Sequence, residues 1–359
     1  MGGQMNPVVR TAKRLPGGSI LALIVLLGAC TQIPQQQGIE VWRGPDVAEP
    51  KIQFLGVGGW LLHWRGEGLL LAPSFSNPSN FGIPILPPLW VAADRAKIDR
   101  LMPPAKDVSM ILVGHGHYDH LLDVPWIMQH HTPNALVYGS RSVAHMLRAM
   151  VPASRVVSSQ WAMARANPAL GPHAAAQGGS WITSRDKHIR VMPIENQHAP
   201  QLAGYLAAPG SYQHDLTGTP VFMLSWKLGQ SMAWLIDLLD ERGKTVYRLH
   251  YQDSAASAPY GLPPILADGK RIDVQILSVG SWSQVEGYPI RLLQATQPRM
   301  VLLGHWDNFF GNDPAARRQT LIPFLNAKPM VDITRVTVGP AVPVLFPAPF
   351  AFIALPAPL

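Results

Sequence analysis

The sequence predicts an α/β fold of mixed β-sheets covered by helices, and three observations predict it. Of the 359 residues 47% are apolar, enough to fill the core of one large domain. Short runs rich in Val, Ile, Leu and aromatic residues recur from residue 51 onward, bounded by Gly, Pro, Asn and Asp, as strands are. Between residues 122 and 157 such runs alternate with segments of helical spacing, the pattern of sheets whose connections are helices.

Ahead of that body, residues 1–29 read as a signal peptide. Arg10, Lys13 and Arg14 form a basic start, and Ser19 to Leu27 an apolar stretch too short to span a bilayer. Leu27-Gly28-Ala29-Cys30 resembles the bacterial lipobox, which implies cleavage before Cys30 and lipidation of that residue. Thr31, not Asp, follows the cysteine, which by the same resemblance favours the outer membrane, with the protein facing the periplasm. Residues 30–38 then make a flexible tether, and the globular domain runs from 39 to 359. Cys30 is the only cysteine, so no disulfide is expected and any metal must be held by His and Asp. Losing Arg10, Lys13 and Arg14 lowers the formal charge from +7 by three, to +4. No cluster of Lys and Arg is interleaved with aromatics, so nucleic acid is not an expected partner.

Lys51 to Gly56, Gly59 to Trp64 and Gly68 to Ala72 read as strands joined at glycine turns. Pro73 to Pro88 is a loop carrying Phe75, Phe81, Ile83, Ile85 and Leu86; it suits a lid, a patch facing lipid headgroups, or a loop packed on the body. Helical spacing over Asp94 to Met102 leads to the strand Met110 to Gly114. Leu122 to His131 and Ser140 to Met150 read as helices, the second capped by Ser140, with strands at Ala135 to Tyr138 and Val156-Val157. Trp161 to Gly179 reads as an insertion. A strand from Ile189 stops just before His198, and Pro220 to Leu228, Met232 to Leu239 and Thr245 to Gln252 read as three more. Val274 to Val279 and Met300 to Gly304 are apolar strands separated by a helix at Ile290 to Thr296. A helix over Pro314 to Ala327, strands at Thr334 to Val338 and Val342 to Phe346, and a tail packed on the surface complete the expectation.

The chemistry concentrates in His115-Gly116-His117-Tyr118-Asp119-His120, directly after an apolar strand. Four metal-capable side chains within six residues must crowd one loop mouth, and neutral imidazoles with a carboxylate suit divalent transition metals. His198 and His305 each follow an apolar strand in the same way, Asp253 ends another, and Asp307 and Asn308, close to His305, are polar candidates for substrate contact. Asp237 competes with Asp253, but it lies inside an apolar strand, where a carboxylate needs a partner. His130, His131, His145 and His173 fit surface or packing positions, and His188 and His214 are weaker candidates.

The pattern His-x-His-x-Asp-His is the signature of the metallo-β-lactamase superfamily. Its extended form here, HGHYDHLLD, most resembles the branch of N-acyl-phosphatidylethanolamine phospholipase D and its bacterial relatives. That resemblance implies a four-layer αββα sandwich of two mixed sheets flanked by helices. It also implies two divalent metal ions, zinc first, with manganese or iron as alternatives: His115, His117 and His198 hold one, Asp119, His120 and His305 the other, and Asp253 bridges. Paired cations lower the pKa of a shared water, so the implied activity is hydrolysis by a metal-bound hydroxide. Asp119 and His305 are the implied catalytic residues, with Tyr118 in support and a small or lipid-derived substrate, a phosphodiester among the candidates. Three other activities fit the same residues: hydrolysis of a lactone, amide or β-lactam, iron redox chemistry, and non-catalytic binding at the envelope. Two departures stand out. Relatives end the third strand with Thr-Asp-Pro where this chain has Leu71-Ala72-Pro73, and Gln252 replaces the glycine of their Gly-Asp-Thr/Ser.

Overall fold

A computed structural model describes residues 32–201 and 204–358. The strands are β1 (Lys51–Gly56), β2 (Gly59–Trp64), β3 (Glu67–Leu71), β4 (Val108–Leu112), β5 (Leu136–Gly139), β6 (Val156–Ser158), β7 (Ile182–Thr183), β8 (Ile189–Glu195), β9 (Met232–Leu239), β10 (Thr245–Tyr251), β11 (Val274–Ser278), β12 (Met300–Gly304), β13 (Val344–Leu345) and β14 (Phe352–Ala354). The helices are α1 (Arg95–Leu101), α2 (Tyr118–Leu121), α3 (Val124–His130), α4 (Arg141–Leu147), α5 (Ile290–Thr296) and α6 (Lys328–Val338). Two seven-stranded sheets form, in the orders β14-β1-β2-β3-β4-β5-β6 and β13-β12-β11-β10-β9-β8-β7. Both are mixed, with β3 to β6 parallel in the first and β10 to β13 parallel in the second. The expected four-layer sandwich is the fold observed.

Strand alternation explains the layers, because successive side chains point to opposite faces. On β4, Met110 and Leu112 join Trp60, Leu69, Trp234, Ile236 and Leu302 in the core between the sheets. Ile111 and Val113 point the other way and pack with Ile98, Ile127, Val143 and Leu147 of the helices. Ser140 caps α4 as expected, its hydroxyl accepting from Val143 N at 3.3 Å. The insertion covers the outer face of the second sheet through Ala164 and Ala176, packed with Met192, Ile194 and Leu235.

Four local expectations are corrected. Residues 220–228 form a short turn at Met223–Ser225 and one bridge, Trp90 to Phe222, because both edges of β9 are already taken by β8 and β10. Residues 314–327 are not helical: Pro314 and Pro323 interrupt the backbone ladder, and buried Gln319 Nε2 donates to the carbonyls of Asp313, Pro314 and Ala316 instead. Thr334 to Val338 lies in α6. Its β-branched residues are held helical by tertiary burial of Met330, Val331 and Thr334 on one face. The C-terminal tail enters the first sheet as β14, antiparallel to β1.

Of the expected tether, residues 32–38 lie against the body. Gln32 O accepts from Leu321 N at 2.7 Å, and Gln37 Nε2 donates to Leu325 O at 2.8 Å. The signal peptide, Cys30 and Thr31 lie outside the described residues. Among the described residues, no helix is long and apolar enough to cross a membrane.

Candidate metal centre

Four strand ends build the site. β8, β10 and β12 run in one direction, so the loops that follow them, carrying His198, Asp253 and His305, open at one edge of the second sheet. The loop after β4 brings the histidine-rich motif to the same edge from the first sheet. Small residues let the pieces meet: a Cβ on Gly114 would lie 2.3 Å from the carboxylate of Asp253, and one on Gly58 would lie 2.7 Å from the ring of His120. His305 adopts φ 52°, and its N donates to Val57 O at 2.8 Å.

All seven expected ligands converge. The rings of His115, His117 and His198 stand 4.5 to 4.8 Å apart. Asp119 Oδ2 lies 3.4 Å from Nε2 of both His120 and His305, and those two nitrogens face each other at 3.1 Å. Asp253 Oδ2 stands between the groups, 3.3 Å from His115 Nδ1 and 3.5 Å from His120 Nδ1. Two triads have ligand atoms within 4.8 Å of one another, His115-His117-His198 and His115-Asp119-His120, so His115 belongs to both.

The donor set fits divalent cations. His117 Nε2 donates to Ala207 O at 3.0 Å and His198 Nδ1 to Ala199 O at 2.6 Å; each bond fixes the ring and leaves the other nitrogen's lone pair free for a metal. Both nitrogens of His115, both carboxylate oxygens of Asp253, His120 Nδ1 and His305 Nδ1 are buried without a hydrogen-bond partner among the described residues. The Asp253 contacts are close but lack hydrogen-bond alignment. Orphaned polar groups at this depth are costly unless something electropositive is shared among them.

Electrostatics agree at the imidazoles of His115, His117 and His198, whereas at His120 burial is outweighed by Asp119 and Asp253, which raise it. Burial, reinforced by neighbouring imidazoles, depresses His115 far below its ordinary range and takes His117 and His198 down to about 3, so all three are neutral, ligand-competent bases at pH 7. Burial pushes Asp119 up, but His120 and His305 outweigh it and hold the carboxyl well below its usual range. Asp253 is raised by burial, only partly offset by His120, His198 and His305.

The competing carboxylate is elsewhere. Asp237 accepts from Arg248 Nε at 2.6 Å, Arg190 Nη2 at 2.8 Å and Thr245 Oγ1 at 2.9 Å, a buried ion pair on the outer side of the second sheet. Asp307 and Asn308, expected near the substrate, have structural partners instead. Asp307 Oδ1 accepts from Val57 N at 2.9 Å, and Asn308 Nδ2 donates to Pro84 O at 2.7 Å. Tyr118 is buried, its hydroxyl without a partner among the described residues. His130, His131, His145, His173, His188 and His214 lie in neither triad.

Three residues beside the site were missed. Tyr251 donates its hydroxyl to Gly58 O at 2.9 Å, holding the β1–β2 turn over His120. Asn196 and Gln252 hydrogen-bond to each other at 2.9 Å behind His198 and Asp253. In the sequence Gln252 stands out only as a departure from the resembling motif, and Asn196 and Tyr251 only as polar residues two positions before a ligand at the end of an apolar strand.

A cavity of about 330 Å³ opens beside the cluster, lined by His117, Tyr118, Asp119, Met223, Phe309 and Phe310 among others, with no Lys or Arg among the described residues of its wall.

No family model and no curated protein matches the chain. Solved structures that resemble it include Igni18, a novel metallo hydrolase from the archaeon Ignicoccus hospitalis, at 12% identity and TM-score 0.47 over 84% of this chain and 97% of that one. A possible metal-dependent hydrolase from Veillonella parvula gives 13% and 0.46, covering 86% of this chain and 100% of that one. The metallo-beta-lactamase fold protein YhfI from Bacillus subtilis gives 10% and 0.43, covering 84% and 98%.

Proposed function

We propose that this chain is a metal-dependent hydrolase that holds two divalent cations and acts on a substrate with an uncharged apolar arm, a phosphodiester or other lipid-derived molecule. The observation that carries the reading is the convergence of seven ligand side chains from four strand ends, six of them buried and His198 half-buried, several with no partner of their own among the described residues. Cations bound there would supply Lewis acidity and bring the pKa of a water toward neutrality. The side chains supply the rest. His115, His117 and His198 are neutral and point their free nitrogens inward. Asp119, kept ionised by His120 and His305, is the acceptor for a proton from the attacking water. Tyr118, whose phenol stays protonated because burial raises it, has an O–H to offer a substrate oxygen.

The cavity beside His117 and Asp119 supports the apolar arm. Phe309, Phe310 and Met223 give it an apolar wall with no Lys or Arg among the described residues, which suits a hydrocarbon chain better than a charged headgroup. Attachment at the envelope is part of the same proposal, supported by the lipobox-like Leu27-Gly28-Ala29-Cys30. Because Gln32 is docked on the body, a lipid on Cys30 would be attached two residues from it.

The test is a panel of bis-p-nitrophenyl phosphate, a lactone and nitrocefin, run on metal-loaded protein with His117→Ala as control. Turnover of the phosphodiester that the variant loses supports the reading. Metal binding without turnover of any member replaces it with a binding role.

A further inference from the structure

His198 and Asp253 follow β8 and β10, yet β9 lies between those strands. No shared ladder of backbone bonds therefore sets one strand end against the other, and the gap between them is roughly 10 Å. A line of buried side chains crosses it. Gln252 Nε2 donates to Asn196 Oδ1 at 2.9 Å, Asn196 Nδ2 donates to Ser254 O at 3.1 Å, and Ala199 N donates to Ser254 Oγ at 3.1 Å. Asn196 is anchored in turn, its N donating to Ser231 O at 3.0 Å and its carbonyl accepting from Gln230 Nε2 at 3.2 Å. Gly261, at φ +77°, closes over the pair: a Cβ there would sit 2.4 Å from Gln252 Nε2 and 2.7 Å from Asn196 Oδ1.

We propose that Gln252 and Asn196 are positioning residues that fix His198 relative to Asp253 and so set the affinity of the metal centre, an inference that rests on reading those two as ligands. Gln252 immediately precedes Asp253, and Asn196 stands two residues before His198. Both are almost fully buried, at 1% and 2% exposure, so neither can exchange its partner for water without moving a ligand loop. Partners that hold metal ligands in place typically contribute ten- to a hundredfold in metal affinity.

The experiment uses full-length untagged protein, stripped of metal and titrated with zinc against a fluorescent chelator. Gln252→Met removes the donor at nearly constant volume. Asn196→Asp keeps an acceptor for Gln252 and sets a carboxylate oxygen against Ser254 O. Gln275→Met is the control, since Gln275 is equally buried but bonds His250 within the sheet. The expected result is zinc binding ten- to a hundredfold weaker in the first two variants. The control should stay within about threefold of wild type while its metal-free melting temperature falls. Wild-type affinity in Gln252→Met and Asn196→Asp, or an equal loss in Gln275→Met, overturns the inference. If one brace variant does not fold, the other decides. A wild-type protein that takes up no zinc removes the metal reading itself, and the inference falls with it.

Discussion

His120 and His305 meet with their Nε2 atoms 3.1 Å apart, although they are 185 residues distant in the chain and follow strands of different sheets. One of those nitrogens can donate a proton to the other, but Asp119 Oδ2 also lies 3.4 Å from both. With both nitrogens deprotonated, their lone pairs and the carboxylate oxygen would meet at one point, an arrangement that suits a cation. A cation held there would tie the two sheets together and add to the fold's stability.

Metal removal should accordingly destabilise the protein. Ligand present at about a thousand times its Kd adds roughly 4 kcal/mol to the native state, and that increment should vanish with a chelator. Calorimetry of the zinc-loaded and chelator-treated protein at pH 7 measures it. An unchanged unfolding temperature would show that the cluster holds no tightly bound metal.

His115 and His117 stand in one triad with His198, so each substitution removes one ligand of the same ion. His115→Ala and His117→Ala are each expected to leave about one ion of two. Metal analysis after gel filtration reads the stoichiometry, and loss of both ions in either variant would argue against two separate sites.

Asp237→Ala separates fold from site. It leaves Arg248, 2% exposed, without its closest carboxylate. Breaking a buried pair from one side typically costs about 3–5 kcal/mol. Zinc stoichiometry should nevertheless stay at the wild-type value, since Asp237 makes its contacts on the far side of the sheet from the cluster. Urea unfolding paired with metal analysis checks both halves, and loss of zinc from folded Asp237→Ala would put this carboxylate back among the ligands.

Met223→Trp should fill the cavity beside His117 without adding charge. For paired p-nitrophenyl phosphodiesters bearing a methyl or an octyl group, the variant is expected to raise KM about tenfold for octyl and little for methyl. An equal effect on both would mean that the cavity does not receive the substrate's arm.

These contrasts follow how unevenly the site was legible in the chain. His115 to His120 announce themselves because four ligand types stand within six residues after a buried strand. His198, Asp253 and His305 could be found because each ends an apolar run, and Asp237 could be set aside because it sits inside one. Asn196 and Gln252 carry no comparable signal: their partnership exists only once β8 and β10 are placed on either side of β9. The same limit applies to Asp307, whose place beside a ligand suggested substrate contact until the fold gave it Val57 N. Local propensity failed where tertiary burial opposed it, as in Thr334 to Val338, and it could not foresee that β14 would find an open edge at β1.

His250 gives the fold a pH dependence separate from the ligands. It is fully buried in β10 beside Gln275, and burial lowers it from 6.5 to about 4. The unfolded chain therefore binds its proton more readily than the native state. The stability contributed by the neutral ring is fully present above pH 6.5 and is lost progressively as pH falls from 6.5 toward 4. At 1.36 kcal/mol per unit the loss is about 3 kcal/mol. His250→Leu has no such proton to take up, so its unfolding free energy should fall less steeply over that window, even if it starts lower because Gln275 has lost a partner. Urea melts of wild type and variant at pH 7, 6, 5 and 4, all with chelator present, give the two slopes. Parallel slopes would show that His250 is already free to titrate in the folded protein.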